Sequence, residues 1–299
     1  MRGLSQSFGD NVALHPLDLD IPQGGVIGLL GPNGSGKSTF MRLLVGLVPC
    51  KAGDVWVDGV QLEGDGLRIR QRTTYAPGEL HLYGELKGRD QLAFLLRGRD
   101  RETVKRAEAV AAGMGLPLGK RVRGYSHGMK RQLVFAAAMA PNVRVRILDE
   151  ISEGLDPAKR SEVLDLIEAD AASGATILLS SHHLGEVDRS CERLIFINAG
   201  RLIADETASS VSERAARLVR ITYPEGTALG EAPALLAGPW IESIRAEGRD
   251  LHIMLDSDDP RPFLTALGAC AALPAPVAVE HGKLSLRELY RSLYGVEGT

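Results

Sequence analysis

The chain has 299 residues, enough for one large or two ordinary domains, and 44% of them are hydrophobic, which is ample for a buried core. Its 35 basic and 38 acidic residues give a formal net charge of -3, so no strong field points to nucleic acid or an anionic membrane surface. The longest apolar stretch, 262–279, carries Pro274 and Pro276 and is a poor transmembrane helix. We expect a folded protein with no nucleic-acid partner that does not span a membrane by itself.

The first clear pattern is a strand, a glycine-rich loop and a helix. Val26 to Leu30 reads VIGLL, a short apolar strand, and 38–47 has the apolar spacing of a helix. The segment between them matches GxxxxGK[ST] without a gap, in the context that this motif requires. Its residues are Gly31, Pro32, Asn33, Gly34, Ser35, Gly36, Lys37, Ser38 and Thr39.

Each part of this loop has a role in binding a nucleotide. The glycines let backbone N–H groups turn toward phosphate oxygens, and the helix N-terminus adds partial positive charge. Lys37 is expected to reach the β- and γ-phosphates, and Ser38 to be a magnesium ligand. The sequence therefore predicts a phosphate-binding loop for a nucleotide with Mg²⁺.

Two later strands also end in polar residues. Val145 to Leu148 runs into Asp149 and Glu150, and a strand over 175–179 runs into Ser180, Ser181 and His182. Because ligands collect at the carboxyl ends of strands in open α/β sheets, we expect one shared site. Asp149 would hold magnesium through water, and Glu150 would polarise the attacking water.

An Asp-Glu pair by itself is more often a helix cap or a surface turn, and only the phosphate loop reverses those odds. Within the same strand, Arg146 stands where an apolar residue is expected, which suggests a position reached by solvent or by an acidic partner.

Helical spacing dominates between the phosphate loop and this acidic strand end. Helices are predicted over 89–97, 101–115 and 128–139, which suggests an inserted helical lobe. Ser126 and Gly128, at the start of the last helix, could present a hydroxyl and a bare helix N-terminus to a γ-phosphate. Without further context, this segment is only a capped helix.

After about Thr207 the motifs stop. The remaining pattern is strand 218–223, helix 231–237, strands 241–246 and 251–255, helix 260–270 and strand 277–281, with a last helix over 285–293. This β-α-β-β-α-β order fits a small split βαβ domain.

In this order and spacing, the motifs resemble those of the nucleotide-binding subunit of an ATP-binding cassette (ABC) transporter, over about Leu4 to Thr207. GPNGSGKST resembles the Walker A motif, YSHGM the signature, ILDE the Walker B motif, EGLDP the D-loop around Asp156, and SSH the switch histidine at His182. The resemblance implies an α/β P-loop NTPase of the ABC type over 1–207, with its helical lobe at about 79–140. A ferredoxin-like α+β domain would follow over 208–299.

The resemblance also implies roles for single residues. Two copies would close over two ATP molecules with Mg²⁺, and Ser126 and Gly128 would act in trans on the partner's ATP. His182 would contact the γ-phosphate, and Glu150 would be the catalytic base. Phe8 matches the aromatic residue that stacks on adenine, although a lone Phe is usually core.

The chain departs from the family pattern in three places. Gly78 stands where the family has a glutamine, and our hypothesis is that Glu79 takes over part of that role or that the loop mainly signals to the membrane subunit. The family's first strand is nearly absent before Leu4, which predicts a truncated start or a short sheet edge. Ile151-Ser152 replaces the usual Pro-Thr, a pair that is not catalytic.

The signature variant and the C-terminal extension resemble subunits that serve drug, lipid, sodium or polysaccharide exporters. That class implies an ATP hydrolase that drives a separate integral membrane permease, and a peripheral location on the cytoplasmic face of the membrane. The alternative is an ABC-type ATPase that acts on soluble machinery, at the ribosome or on DNA. The chain itself does not encode the transported substrate.

Overall fold

The structure is a computed structural model that describes residues 1–181 and 189–282. Contacts divide the chain into two units, Met1–Asp205 and Glu206–Thr299. The helix expected over 285–293 lies outside the described residues.

A six-stranded sheet forms the centre of the first unit as described. In spatial order its strands are β11 (Arg201–Thr207), β10 (Arg193–Asn198), β3 (Gly25–Leu30), β9 (Thr176–Ser180), β8 (Val145–Asp149) and β7 (Thr73–Ala76). The five strands from β10 to β7 run parallel. They are mostly buried, which explains their continuous apolar runs, and their carboxyl ends meet at one edge of the sheet.

The first unit also contains a smaller antiparallel sheet. Its strands, in spatial order, are β2 (Asn11–Leu17), β1 (Arg2–Phe8) and β4 (Ala52–Asp54). A separate two-stranded sheet is formed by β5 (Trp56–Val57) and β6 (Val60–Gln61). The expectation of a short sheet edge at the start of the chain is wrong. β1 is a seven-residue strand that pairs with β2 on one side and with β4 on the other. The fully buried side chain of Leu4 anchors it in the core.

Among residues 1–181 and 189–205, the helices next to the central sheet are α1 (Lys37–Leu44), α2 (Leu67–Arg72) and α6 (Pro157–Ala172). The lobe contains α3 (Gly88–Leu95), α4 (Arg101–Gly113) and α5 (His127–Met139), close to the predicted bounds. The three helices share one buried cluster that includes Leu92 of α3, Ala107 and Ala111 of α4, and Leu133 and Ala136 of α5, and the alanines let α4 and α5 approach closely. No helix within 1–181 and 189–282 has the length and apolar character that crossing a bilayer requires.

The second unit begins with α7 (Ala208–Ala216). It continues with β12 (Leu218–Thr222), α8 (Ala232–Leu236), β13 (Ile241–Glu247), β14 (Asp250–Leu255), α9 (Arg261–Ala269) and β15 (Ala278–His281). The sheet order is β13-β14-β12-β15, and every pairing is antiparallel. That is the order expected from a split βαβ pattern, with a core of its own around Ile221, Ile253 and Phe263.

Candidate nucleotide-binding site

The loop from Gly31 to Gly36 joins β3 to α1, and two of its glycines are required by close backbone contacts. Gly31 has φ 153°, and a Cβ there would lie 2.0 Å from the carbonyl oxygen of Ile197. Gly36 has φ 106°, and a Cβ there would lie 2.7 Å from the carbonyl oxygen of Ala13. Any side chain at either position would push the loop away from the strands that hold it.

Lys37 lies folded over this loop. Its Nζ donates hydrogen bonds to the carbonyl oxygens of Gly31, at 2.8 Å, and Pro32, at 3.0 Å. The residue is only 6% exposed, and burial lowers the pKa of its ammonium group, an effect that the charges of Glu150 and Asp149 oppose. The loop therefore holds the Lys37 ammonium group away from water and near two carboxylates. The oxygens of a bound phosphate chain would replace the water that this group has lost.

The other loop residues divide by exposure. Asn33 and Gly34 are exposed at the tip, and Ser38 and Thr39 are half-buried on the first turn of α1. Ser35 is buried, and its Oγ has no hydrogen-bond partner among the residues that the structure describes. A buried hydroxyl without a partner is costly, so its presence in this loop fits a group that becomes satisfied by ligand.

Asp149 and Glu150 stand at the carboxyl end of β8, next to the end of β9. Ser180 Oγ donates to Asp149 Oδ1 at 2.7 Å and accepts from the backbone N–H of Glu150 at 2.8 Å. Asp149 is 1% exposed and Ser180 is fully buried. Glu150 is a non-glycine residue with φ 49°, a left-handed conformation that turns the chain out of the strand immediately after Asp149.

Gly78 lies beside the same carboxylate. A Cβ at Gly78 would be 3.5 Å from Asp149 Oδ2, an ordinary van der Waals distance. The Tyr75 hydroxyl donates to that oxygen at 3.4 Å, and burial, followed by the charge of Asp149, raises the pKa of Tyr75 to about 12. Tyr75 also hydrogen-bonds Arg42, whose pKa is raised by this contact and, among smaller effects, by the nearby charge of Glu79.

The start of α5 faces a different part of the chain. Ser126 is its exposed N-cap and accepts from the backbone N–H of Met129 at 3.2 Å. A Cβ at Gly128 would lie 3.1 Å from the carbonyl oxygen of Gly154, so this helix start packs on the turn that follows Glu150. That turn leads to Asp156, the exposed N-cap of α6, which accepts from Lys159 N–H at 2.9 Å.

Comparison with known proteins identifies the family. The ABC transporter family model matches residues 14–153. A daunorubicin resistance ATP-binding protein of Streptomyces coeruleorubidus is 35% identical over 245 residues, covering 78% of this chain and 76% of the relative. This chain belongs to the ABC transporter family.

Other ABC relatives extend the match. A daunorubicin/doxorubicin resistance ATP-binding protein of Streptomyces peucetius is 29% identical and covers 98% of this chain and 91% of its own length. The solved structure of an ATP-binding subunit of an ABC transporter has a TM-score of 0.64 and 26% identity, and covers 70% of this chain and 90% of that one. A dimeric ATP-binding cassette bound to ADP and Pi, 22% identical with a TM-score of 0.62, shares the fold.

The ABC cassette brings together part of the predicted set of residues. Lys37, Asp149, Glu150 and Ser180 share one edge of the sheet, as the strand ends predicted. Ser126, Gly128 and Asp156 form a second group at the start of α5 and the turn before α6.

One predicted residue that the structure describes, Phe8, belongs to neither group. Phe8 is 52% exposed at the end of β1, so its ring face is available for stacking. His182 lies outside the described residues.

Residues of the ABC cassette fit ATP and Mg²⁺. Gly31 and Gly36 leave no room for a Cβ, and the buried hydroxyl of Ser35 has no partner among the described residues. Mg²⁺ usually binds one or two carboxylates together with substrate phosphates, and Asp149 with the Ser38 hydroxyl supplies that donor set.

Sequence reasoning missed Tyr75 and Arg42 at this site. No motif singled them out, because the contact of Tyr75 with Asp149 depends on the register of β7 and β8, where Tyr75 pairs with Ile147, and Arg42 reaches the site through Tyr75. Arg146 was recognised as unusual, and its guanidinium pairs with Asp170 of α6 while the residue stays only 4% exposed. The acidic partner is thus present, and contact with solvent is minor.

Proposed function

We propose that this chain is the ATP-hydrolysing subunit of an ATP-driven transporter, and that the transport is export. The observation that carries the proposal is the convergence of Lys37, Asp149 and Glu150 at one sheet edge, directly behind a loop with a glycine cradle. Relatives named for daunorubicin, linearmycin and Nod factor export or resistance support the direction.

The chain's own residues would divide the chemistry among them. Backbone N–H groups of the loop and Lys37 would bind the phosphates, and Glu150 would orient the attacking water and accept its proton. Ser38 and Asp149 would hold Mg²⁺, which supplies neutralisation of the phosphate charge. Ser180 would fix both acidic residues, because one hydroxyl contacts the carboxylate of Asp149 and the N–H of Glu150.

The proposed working form is a dimer of two copies. Ser126 is exposed, and the helix start that it caps packs on the turn at Gly154 of its own chain. An exposed helix N-terminus with a hydroxyl suits the γ-phosphate of an ATP bound to a second copy. Each copy would then complete the other's site, with His182 added to it as the family resemblance implies.

A groove between the lobe and the core is the proposed docking surface for the membrane subunit. It is about 300 Å³ and is lined by side chains that include Leu80, Leu82, Leu95 and Tyr75. Leu47, which also lines the groove, is 52% exposed. Exposed apolar surface of this kind marks an interaction site, and docking there would place the chain on the cytoplasmic face of the membrane.

The export reading and the soluble-machinery alternative predict different companions. No observation in the fold or among the relatives supports the alternative. The Leu47→Glu variant is produced in the protein's own host cells, and the membrane fraction is collected by sedimentation. We expect this variant to be lost from the membrane fraction while it keeps its ATPase activity. Unchanged sedimentation of Leu47→Glu, or a parent that never sediments with membranes, would count against the docking surface.

The central test concerns Glu150. Glu150→Gln is expected to lower the ATPase rate by at least about a hundredfold while leaving ATP binding and ATP-dependent dimerisation intact, because the amide keeps the shape but cannot accept the proton. Glu102→Gln, at an exposed carboxylate on α4 of the lobe, is the matched control and should keep substantial activity. Full activity in Glu150→Gln would refute the assigned chemistry.

A further inference from the structure

Arg131 is a buried cation in the helical lobe that is outside every motif above. It lies on α5, five residues after Ser126, and is 2% exposed. Its Nη1 donates to the carbonyl oxygen of Pro77 at 3.2 Å, and its Nη2 donates to Glu153 Oε2 at 3.0 Å. One guanidinium therefore joins the lobe to two separate segments of the core.

Both segments lie at the proposed catalytic edge. Pro77 immediately precedes Gly78, where a Cβ would lie 3.5 Å from Asp149 Oδ2. Glu153 is in the turn between Glu150 and Asp156, and its backbone N–H donates to the carbonyl oxygen of Glu150 at 3.2 Å. A displacement of Glu150 would therefore move the acceptor that holds Arg131.

The absence of a side chain at Gly78 gives this contact its importance. A glycine cannot connect the nucleotide site to the lobe through a side chain, whereas the Pro77 carbonyl provides a main-chain connection to Arg131. A buried guanidinium is costly without its acceptors, which favours the lobe position where both are in place. The Glu153 side chain is 48% exposed, so this ion pair can break without leaving a buried carboxylate behind.

We propose that Arg131 is a positioning residue that couples the nucleotide state at Asp149 and Glu150 to the orientation of α5. This inference rests on the proposed function, because α5 is the helix that would close on the second copy's ATP. The start of α5 also lies close to this turn at Gly128, where a Cβ would be 3.1 Å from the Gly154 carbonyl oxygen.

The experiment uses the full chain with Glu150→Gln, so that ATP stays bound. Hydrogen exchange of residues 126–139 is measured with ATP and with ADP, at a concentration where the protein is monomeric. This Glu150→Gln chain, the parent of the variants below, is expected to exchange differently at residues 126–139 with ATP and with ADP. Arg131→Met should reduce that difference at least threefold, while the affinity for a fluorescent ATP analogue stays within about twofold of the parent.

Arg106→Met is the matched control, because the hydrogen bonds of Arg106 to described residues stay within the lobe, at the Ala140 carbonyl and the Thr103 hydroxyl. It should keep the parent's nucleotide-dependent difference even where it lowers thermal stability. Equal differences in Arg131→Met and the parent, or equal losses in both arginine variants, would overturn the proposal. So would a parent whose α5 exchange does not respond to nucleotide.

Glu153→Gln keeps the inference testable if Arg131→Met fails to fold. Its amide still accepts a hydrogen bond but carries no charge, so a smaller reduction in the exchange difference is expected, and none would contradict the proposal. ATP-dependent dimerisation of the parent, measured separately by sedimentation, tests the proposed function. A parent that never dimerises refutes the ATP-sandwich dimer, whereas the exchange data still decide the role of Arg131.

Discussion

Two buried serines at the nucleotide site allow the contributions of two hydroxyl groups to the free energy of unfolding to be compared. Ser180 makes two hydrogen bonds, to the Asp149 carboxylate and the Glu150 N–H, and it is fully buried. Ser35 is 3% exposed, and its hydroxyl has no partner within the described part of the chain. The same Ser→Ala change should therefore have opposite consequences at the two positions.

The magnitudes follow from what each hydroxyl contacts. Hydrogen bonds to charged groups contribute about 1.5–3 kcal/mol and neutral ones about 0.5–1.5 kcal/mol, so Ser180→Ala should reduce the free energy of unfolding by about 2–4 kcal/mol. Ser35→Ala removes a buried polar group that makes no bond, so it should be neutral or stabilise by up to about 1 kcal/mol.

Urea denaturation of the nucleotide-free protein, followed by circular dichroism, measures both changes against the parent. The urea concentration at the unfolding midpoint should be equal to or above that of the parent in Ser35→Ala and well below it in Ser180→Ala. The dependence of the unfolding free energy on urea concentration should be the same in all three proteins. Equal destabilisation by the two variants, or a Ser180→Ala protein within about 0.5 kcal/mol of the parent, would refute the reasoning from hydrogen-bond partners.

Three further changes probe the same edge of the sheet. Lys37→Met should weaken binding of a fluorescent ATP analogue by about 30- to 150-fold, since a charge-assisted contact of about 2–3 kcal/mol is lost. Gly78→Gln should fold normally, because its Cβ meets Asp149 at 3.5 Å, and should raise the ATPase rate several-fold, whereas Gly113→Gln on the lobe should not. Burial raises the pKa of Tyr75 from its ordinary value of 10.0 to about 12 in the folded protein. The neutral hydroxyl therefore stabilises the fold below pH ~10, and this stabilisation is lost as the pH rises to ~12. The parent should therefore lose about 2–3 kcal/mol more than Tyr75→Phe over that interval in alkaline denaturation.

The phosphate loop and the shared strand-end site could be predicted because both depend on local pattern. GxxxxGK[ST] needs only its neighbours to form a loop, and Asp149 and Ser180 follow directly from apolar strands whose ends meet in a parallel sheet. The split βαβ order of the second unit was likewise readable from alternating strand and helix segments.

The contacts of Tyr75 and Arg131 could not be predicted, because they join distant segments. Tyr75 and Asp149 are 74 residues apart, and Arg131 and Glu153 are 22 apart. Neither distance corresponds to a helical or strand period. Their contacts depend on the order of strands in the sheet and on the angle of α5, which a single sequence does not specify.

The backbone at Glu150 explains why these distant contacts gather at one place. Its φ of 49° costs about 1–3 kcal/mol for a residue with a side chain and persists only where the surroundings hold it. Ser180 holds the N–H of Glu150, and the turn after it is held by Glu153 against Arg131. A strained residue between two such anchors has few alternative positions, so a displacement of the Glu150 carboxylate is passed into the turn and on to α5. The fold thus gives the proposed base both its orientation and a mechanical connection to the helix that would meet a second subunit.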